Sequence, residues 1–256
     1  MGDLVSIVMP SYNTSQFIAE SIQSVQSQSY TNWELIIVDD CSTDDTEDVV
    51  KLYLNDKRIR YLKNEKNSGT AVSRNRALRE AKGKWIAFLD SDDLWRPRKL
   101  EKQVKFMENN DYHFSYTSYS EIDTEGKENA IKVTGPKVIT RTGMNNYCWP
   151  GCLTVMYDAE KIGIIQIADI KKNNDYAMWL MVARKASCYL LDEDLAMYRR
   201  GRAGSISTNS VKTMIRWHYR LFREVERQSI MTALFSTGRN LLFGTYKKII
   251  YVRNKR

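Results

Sequence analysis

Lys84-Trp85-Ile86-Ala87-Phe88-Leu89-Asp90-Ser91-Asp92-Asp93 passes in one step from an unbroken apolar run to a cluster of carboxylates. The apolar half reads as a buried strand. Side chains alternate across a strand, so Asp90 and Asp92 are expected to project together where it ends. Two carboxylates on one face repel each other. A divalent cation carrying an anionic phosphate converts that repulsion into binding, and hard oxygen ligands suit Mn2+ or Mg2+. Asp is also common in strand-to-helix turns. The competing assignment therefore makes Asp90 and Asp92 turn residues, with Asp93 capping a helix that begins near Pro97. The flanking sequence has to choose between the two.

Upstream, two hydrophobic periods alternate. Residues 4–10, 33–39 and 58–63 read as short strands. Residues 17–28, 46–54 and 71–81 place apolar side chains at helical spacing, with Ser42 and Asp45 offering a capping-box start to the second and Gly83 closing the third. The strand at 85–89 and a helix over about 97–109 complete the series. Strand-helix alternation with near-continuous apolar strands implies an α/β fold, a Rossmann-like, mostly parallel sheet flanked by helices on both faces. In open sheets of this kind ligands sit beyond the carboxyl ends of the strands. Pro10-Ser11-Tyr12-Asn13, Asp39-Asp40-Cys41-Ser42 and Asp90-Ser91-Asp92-Asp93 each follow a strand and so share one rim. That convergence favours a site over three unrelated turns.

Downstream the pattern loosens. Residues 113–123 alternate as a strand, Gly126 turns the chain back through 129–139, and Tyr147–Met156 is an aromatic, glycine-bearing loop. Residues 174–182 open with cap-competent side chains and continue as an amphipathic helix. Asp175 thus lies at a helix N-terminus, where negative charge is favourable with or without a chemical task. A strand near 187–198 leads into the basic loop Arg199–Ser207. Trp149 and Trp179 suit core packing better than stacking on a ligand.

The net charge of +8 is unevenly spread: Lys212–Arg256 contains 11 Lys/Arg against 2 acidic residues, and the remainder is close to neutral. This stretch interleaves its charges with Trp217, Tyr219, Phe222, Phe235, Phe243, Tyr246 and Tyr251, and no apolar run is long enough to span a bilayer. Such a helical basic C-terminal extension suits an anionic membrane surface; a helix pair packed on the main domain, or in a homo-oligomer, suits the same pattern. Four cysteines without a CxxC pair, and only two histidines, speak against a zinc site. Reduced thiols, a cytoplasmic setting and no signal peptide are the expectation.

Val8-Met9-Pro10-Ser11-Tyr12-Asn13, Val38-Asp39-Asp40-Cys41-Ser42-Thr43-Asp44, Asn67-Ser68-Gly69 followed by Arg74-Asn75, and Phe88-Leu89-Asp90-Ser91-Asp92-Asp93 occur in this order along the chain. The set strongly resembles the family 2 inverting glycosyltransferases, which have the GT-A fold, over roughly residues 4–205. The layout is most similar to bacterial enzymes that build teichuronic acid, capsule or O-antigen polysaccharides. The resemblance implies a catalytic domain over 1–208, with a nucleotide-binding half at 1–110 and an acceptor half at 111–208, followed by the tail at 209–256. It implies that Pro10, Ser11 and Tyr12 line the nucleotide pocket, that Asp40 accepts a hydrogen bond from the base, and that Asp39 supports that turn. Arg74 would contact the donor diphosphate or its sugar, a role favoured over the alternative of a solvated helix face. Asp90 and Ser91 would lie along the donor, Asp92 would bind the metal, Mn2+ or Mg2+, and Asp175 would be the catalytic base. Asn174 departs from the family pattern, which has an acid there.

These roles imply a nucleotide-sugar donor, a UDP-sugar foremost, and a saccharide or lipid-linked saccharide acceptor. The enzyme would sit peripherally on the inner face of the plasma membrane. A sugar-phosphate nucleotidyltransferase is the rival, but it calls for a glycine-rich phosphate loop where this chain has Pro10-Ser11-Tyr12-Asn13. No GxGxxG follows the first strand, which excludes a dinucleotide-binding oxidoreductase. An acidic rim repels nucleic-acid phosphates unless metal-bound, so no nucleic-acid partner is expected.

Overall fold

The computed structural model describes residues 2–201 and 211–254. Its first half alternates as the periodicity requires: β1 (Val5–Ser11), α1 (Ile18–Gln26), β2 (Trp33–Asp39), α2 (Thr46–Lys51), β3 (Ile59–Lys63), α3 (Thr70–Glu80) and β4 (Trp85–Phe88). Every residue of β1, β2 and β4 is buried, as strands covered on both faces must be. β1 pairs in parallel with β2 and β4, and β2 with β3. Alternate residues divide the core. Val8, Ile36, Val38, Ile86 and Phe88 pack on one face with Ala77 and Leu78 of α3. Ile7, Met9, Leu35, Ile37 and Ala87 pack on the other with Ile18 and Ile22 of α1.

Beyond β4 come β5 (Leu94–Trp95), α4 (Lys99–Asn110), β6 (Phe114–Ile122), β7 (Glu128–Val133), β8 (Val138–Ile139), α5 (Arg141–Asn146), β9 (Met156–Asp158), α6 (Ala159–Ile162), α7 (Asn174–Val182) and β10 (Cys188–Arg199). β9 lies antiparallel between β4 and β6, and β7 is antiparallel to β6. β10 runs parallel to β6, with register breaks between Leu191 and Ala196. The continuous parallel block thus belongs to the first half, and mainly antiparallel strands extend the sheet into the second.

Three local expectations are corrected. The capping box does not form: Asp45 makes no side-chain cap bond, and Asp44 Oδ1 accepts the Thr46 N–H at 3.1 Å instead. Asp93 is no helix cap, because α4 starts at Lys99 with Arg98 before it. Gly83 does not close α3, which ends at Glu80. It lies where β4 begins, and a Cβ there would come within 2.6 Å of the Leu4 carbonyl oxygen and the Ser6 nitrogen.

The C-terminal segment forms α8 (Val211–Arg220), a π-helical turn over Leu221–Val225, α9 (Ile230–Ile250) and β11 (Val252–Asn254). β11 pairs antiparallel with β7, Val252 opposite Val133, so this segment completes one edge of the sheet. Leu221, Phe222 and Ala233 are wholly buried in the face that also holds α3 and α7. Among the described residues no helix is long and apolar enough to cross a membrane. The expected boundary at 208/209, and the basic loop from Arg202 onward, lie outside the described residues.

Candidate active site

The carboxyl ends of β1, β2 and β4 open on a cleft of about 650 Å³. Its first wall is a laced pair of loops. Asn13, at φ 50°, donates its N–H to Ser42 Oγ at 2.9 Å, and its Oδ1 accepts the Thr43 N–H at 2.9 Å. Pro10, Ser11 and Tyr12 line the cleft, with Tyr12 well exposed. Asp39 does not line it. Wholly buried beneath the rim, it accepts hydrogen bonds from the N–H and hydroxyl of Ser42 and from the Tyr61 hydroxyl at 2.7 Å. Asp40 is also buried but does line the cleft, and it holds the following loop. Oδ1 accepts from Asn64 Nδ2 at 2.8 Å and Ser68 N at 2.9 Å, and Oδ2 from Gly69 N at 2.6 Å. Gly69 sits at φ +90°, a left-handed conformation that only glycine takes readily, immediately before α3.

The second wall is the turn after β4, closed by Asp93 N–H donating to the Asp90 carbonyl at 3.0 Å. Asp90, Ser91, Asp92 and Asp93 all line the cleft. Asp90 is not bare: Arg74, nearly buried on α3, reaches it with one guanidinium nitrogen at 2.5 Å and Asn174 Oδ1 with the other at 2.8 Å. Arg74 is therefore no solvated helix side chain. Burial, followed by the charges of Asp92 and Asp90, pushes the Asp93 carboxyl well above the usual carboxylate range, against the opposing pull of Arg199. Asp93 accepts the Arg199 N–H at 2.8 Å, and the Arg199 guanidinium bonds the Asp92 carbonyl at 2.8 Å and Glu20 at 2.6 Å. This clamp fixes the turn from β10, a link that no local motif announces.

The third wall holds Asp175. Asn173, at φ 58°, precedes α7; Asp175 lies in its first turn, half-buried, with Oδ1 accepting the Tyr176 N–H at 2.8 Å. The expected amphipathic pattern of α7 is corrected: the helix is apolar nearly all round because it is buried nearly all round. Trp179 packs edge-on to Phe88, and Trp149 is ringed by Tyr147, Phe243, Tyr246 and Tyr251, so both tryptophans are core residues. The cleft thus gathers Pro10, Ser11, Tyr12, Asp40, Arg74, Asp90, Ser91, Asp92 and Asp175 from five separate segments, with Asp39 directly beneath. Sequence reasoning missed Met214, Trp217, His218 and Lys247, which the C-terminal helices bring to the same cleft. Their only sequence signal was the mixture of basic and aromatic residues in that segment.

Among the described residues no three His, Cys, Asp or Glu side chains are grouped to hold a metal. Mg2+ and Mn2+ at phosphate sites need only one or two carboxylates, with phosphate oxygens and water completing the shell. Asp92, beside the Arg74-paired Asp90, fits such a shared site and not a closed cage.

Residues 6–157 match the profile of glycosyl transferase family 2. The chain belongs to this family. It is 42% identical over 232 residues to a putative teichuronic acid biosynthesis glycosyltransferase, TuaG, of Bacillus subtilis, covering 90% of this chain and 91% of that one. It is 40% identical over 217 residues, 83% of each chain, to WfgD of Escherichia coli, a UDP-Glc:alpha-D-GlcNAc-diphosphoundecaprenol beta-1,3-glucosyltransferase. Among solved structures, Staphylococcus aureus TarS 1–349 with UDP-GlcNAc superposes at TM-score 0.75 with 19% identity, over 96% of this chain and 74% of that one. A mannosyltransferase of Pyrobaculum calidifontis with GDP-Man and Mn2+ gives 0.65 with 16% identity, over 96% and 76%. The fold is accordingly GT-A, and the protein is a glycosyltransferase.

Proposed function

We propose that this family 2 enzyme moves a sugar from a nucleotide-sugar, a UDP-sugar, to a hydroxyl of a lipid-linked saccharide, with inversion, in surface-polysaccharide synthesis. One observation carries the reading. The Asp90–Asp93 turn and Asp175 line a single cleft, and Arg74 ties the two together by bonding Asp90 and Asn174, the neighbour of Asp175.

Asp40 spends three acceptor positions on its own loop; a carboxylate offers about four, leaving one for a base N–H. Tyr12 is exposed enough to stack on the base, while Asp39 holds the turn from below. Pro10 and Ser11 border the nucleotide, and Asp90 and Ser91 the ribose and diphosphate, with Arg74 adding positive charge behind them. Asp92 would hold Mn2+ or Mg2+, which supplies a counter-charge to the diphosphate leaving group. Asp175 takes the acceptor hydroxyl proton as the oxygen bonds to the anomeric carbon. The carbon–phosphate oxygen bond breaks on the opposite face, and the nucleoside diphosphate leaves with the electron pair. A single displacement of this kind inverts the anomeric centre and needs one base.

The relatives named for UDP-glucose and for a diphosphoundecaprenol acceptor support this donor and acceptor class. The outward face of α9 supports attachment at the inner membrane face: Met231, Leu234, Phe235, Leu242 and Ile249 are all exposed at helical spacing, with Lys248 beside them. The test is release of UDP from UDP-glucose with Mn2+ and a lipid-diphosphate-linked GlcNAc. Asp92→Asn and Asp175→Asn should each lower kcat about 100-fold or more while the folded far-UV spectrum is kept. Full turnover in either variant removes that residue from the mechanism.

A further inference from the structure

Lys247 reaches the cleft from the C-terminal helix α9. Its Nζ donates to the Trp149 carbonyl at 2.6 Å and lies 5.5 Å from the Tyr147 ring centroid. Among the described residues no carboxylate lies within ion-pair distance of it, which leaves a half-buried ammonium without a carboxylate partner. An unpaired charge withdrawn from water is costly unless a ligand completes it. Burial lowers its pKa to about 8, opposed by Cys148 and Asp175, so it remains mainly cationic at neutral pH. Burial also pushes the Cys148 thiol up, which leaves Asp175 as the charge acting on Lys247. Asn240, two turns earlier on α9, donates its Nδ2 to the Tyr176 hydroxyl at 3.1 Å, which ties α9 to the helix that carries Asp175. Lys247 therefore stands on the wall that carries the base. Trp217 and His218 also line the cleft, and burial lowers the His218 pKa.

We propose that Lys247 is a specificity-determining residue that binds a phosphate of the acceptor, so that α9 selects acceptors whose sugar is attached to a diphosphate. This rests on the glycosyltransferase reading with a lipid-linked acceptor and goes beyond it by assigning a residue to the anion. Ammonium donors hold phosphate through charge-assisted hydrogen bonds, stronger than neutral ones. The donor diphosphate has the same chemistry, and the experiment has to separate the two sources.

Two synthetic acceptors do so: GlcNAc-diphosphoryl-undecane and the undecyl glycoside of GlcNAc, identical but for the diphosphate. Wild type, Lys247→Met and Lys247→Arg are compared with UDP-glucose and Mn2+. Wild type should favour the diphosphate acceptor in kcat/KM. Lys247→Met should lower that preference about ten- to hundredfold, chiefly through KM, and Lys247→Arg should restore part of it. The inhibition constant for UDP should stay within about twofold, since the donor subsite is untouched. A raised UDP inhibition constant would assign Lys247 to the donor instead. An equal fall on both acceptors would make it a purely structural or base-tuning residue. Either result overturns the proposal. Failure of the wild type on both acceptors, with no UDP released, would overturn the underlying functional reading as well. Thermal unfolding of both variants at the wild-type temperature shows that the fold is retained; if Lys247→Met does not fold, the Arg variant decides, because a kept charge must keep part of the preference, and its complete loss in Lys247→Arg would overturn the proposal.

Discussion

Removing the Arg74 guanidinium should be felt in stability and in turnover together. The side chain is 6% exposed and its partner Asp90 30% exposed. Breaking a fully buried ion pair by deleting one partner costs about 3–5 kcal/mol, because the remaining charge is stranded. Here water already reaches Asp90, which reduces the penalty, while the lost bond to Asn174 adds about 1 kcal/mol. For Arg74→Met, whose chain fills most of the aliphatic volume, the sum is about 2–3 kcal/mol. Urea unfolding followed by tryptophan fluorescence measures it. Asp90→Asn in the same background should recover part of the loss, since no charge is then stranded, giving a non-additive cycle of at least about 1 kcal/mol. Turnover should fall about 100-fold even where the protein is folded, because Arg74 sets the distance between the Asp90–Asp92 turn and Asp175, and small misplacements are costly in transfer reactions. A strictly additive cycle, with kcat unchanged, would refute the bridge.

Other consequences can be checked separately. Asp93→Asn should stabilise the protein at neutral pH. The folded-state pKa is raised, so the native state holds a proton that the unfolded chain releases; wild-type stability then falls, relative to the variant, as pH rises above the unfolded carboxylate value near 4. Urea midpoints of the pair at pH 4 and pH 7 should diverge in that direction, and parallel curves would contradict a protonated Asp93. Replacing Leu234, Phe235, Leu242 and Ile249 by Ser should weaken sedimentation with vesicles of anionic lipid while UDP release with the undecyl glycoside persists. Unchanged sedimentation would remove α9 from membrane attachment.

Much of the first half was legible because its signals are local. β2 and α7 were placed to the residue, and the three rim clusters do meet, since strand alternation and apolar periodicity act within a few residues. Boundaries slipped where tertiary contacts intervene. Gly83 was read as a helix stop because a glycine after an apolar helix usually is one; close passage beside Leu4 and Ser6 is invisible without the sheet. The repulsion between Asp90 and Asp92 was expected to be relieved by a cation alone, yet the charge of Asp90 is also met by Arg74, sixteen residues upstream on another element. Asn174, which departs from the family pattern, takes the second arm of that arginine. An amide suits this position because Arg74 already has a carboxylate. The C-terminal wall was legible only as composition. Charge and aromaticity cannot tell a membrane from a protein face, and α9 buries one face against the protein while leaving apolar side chains exposed on the other.

That double-faced helix ties two properties together. Ala233, Ser236, Thr237 and Asn240 are buried on its inner side, in register with Lys247, while the exposed apolar side chains occupy the other side. One residue inserted between Asn240 and Lys247 would rotate everything after it by about 100°. Lys247 would swing off the cleft, and Ile249 would leave its stripe in the same movement. Point substitutions can tune either face alone, but an insertion or deletion disturbs both at once. Helix length here should therefore be held far more strictly by natural selection than composition.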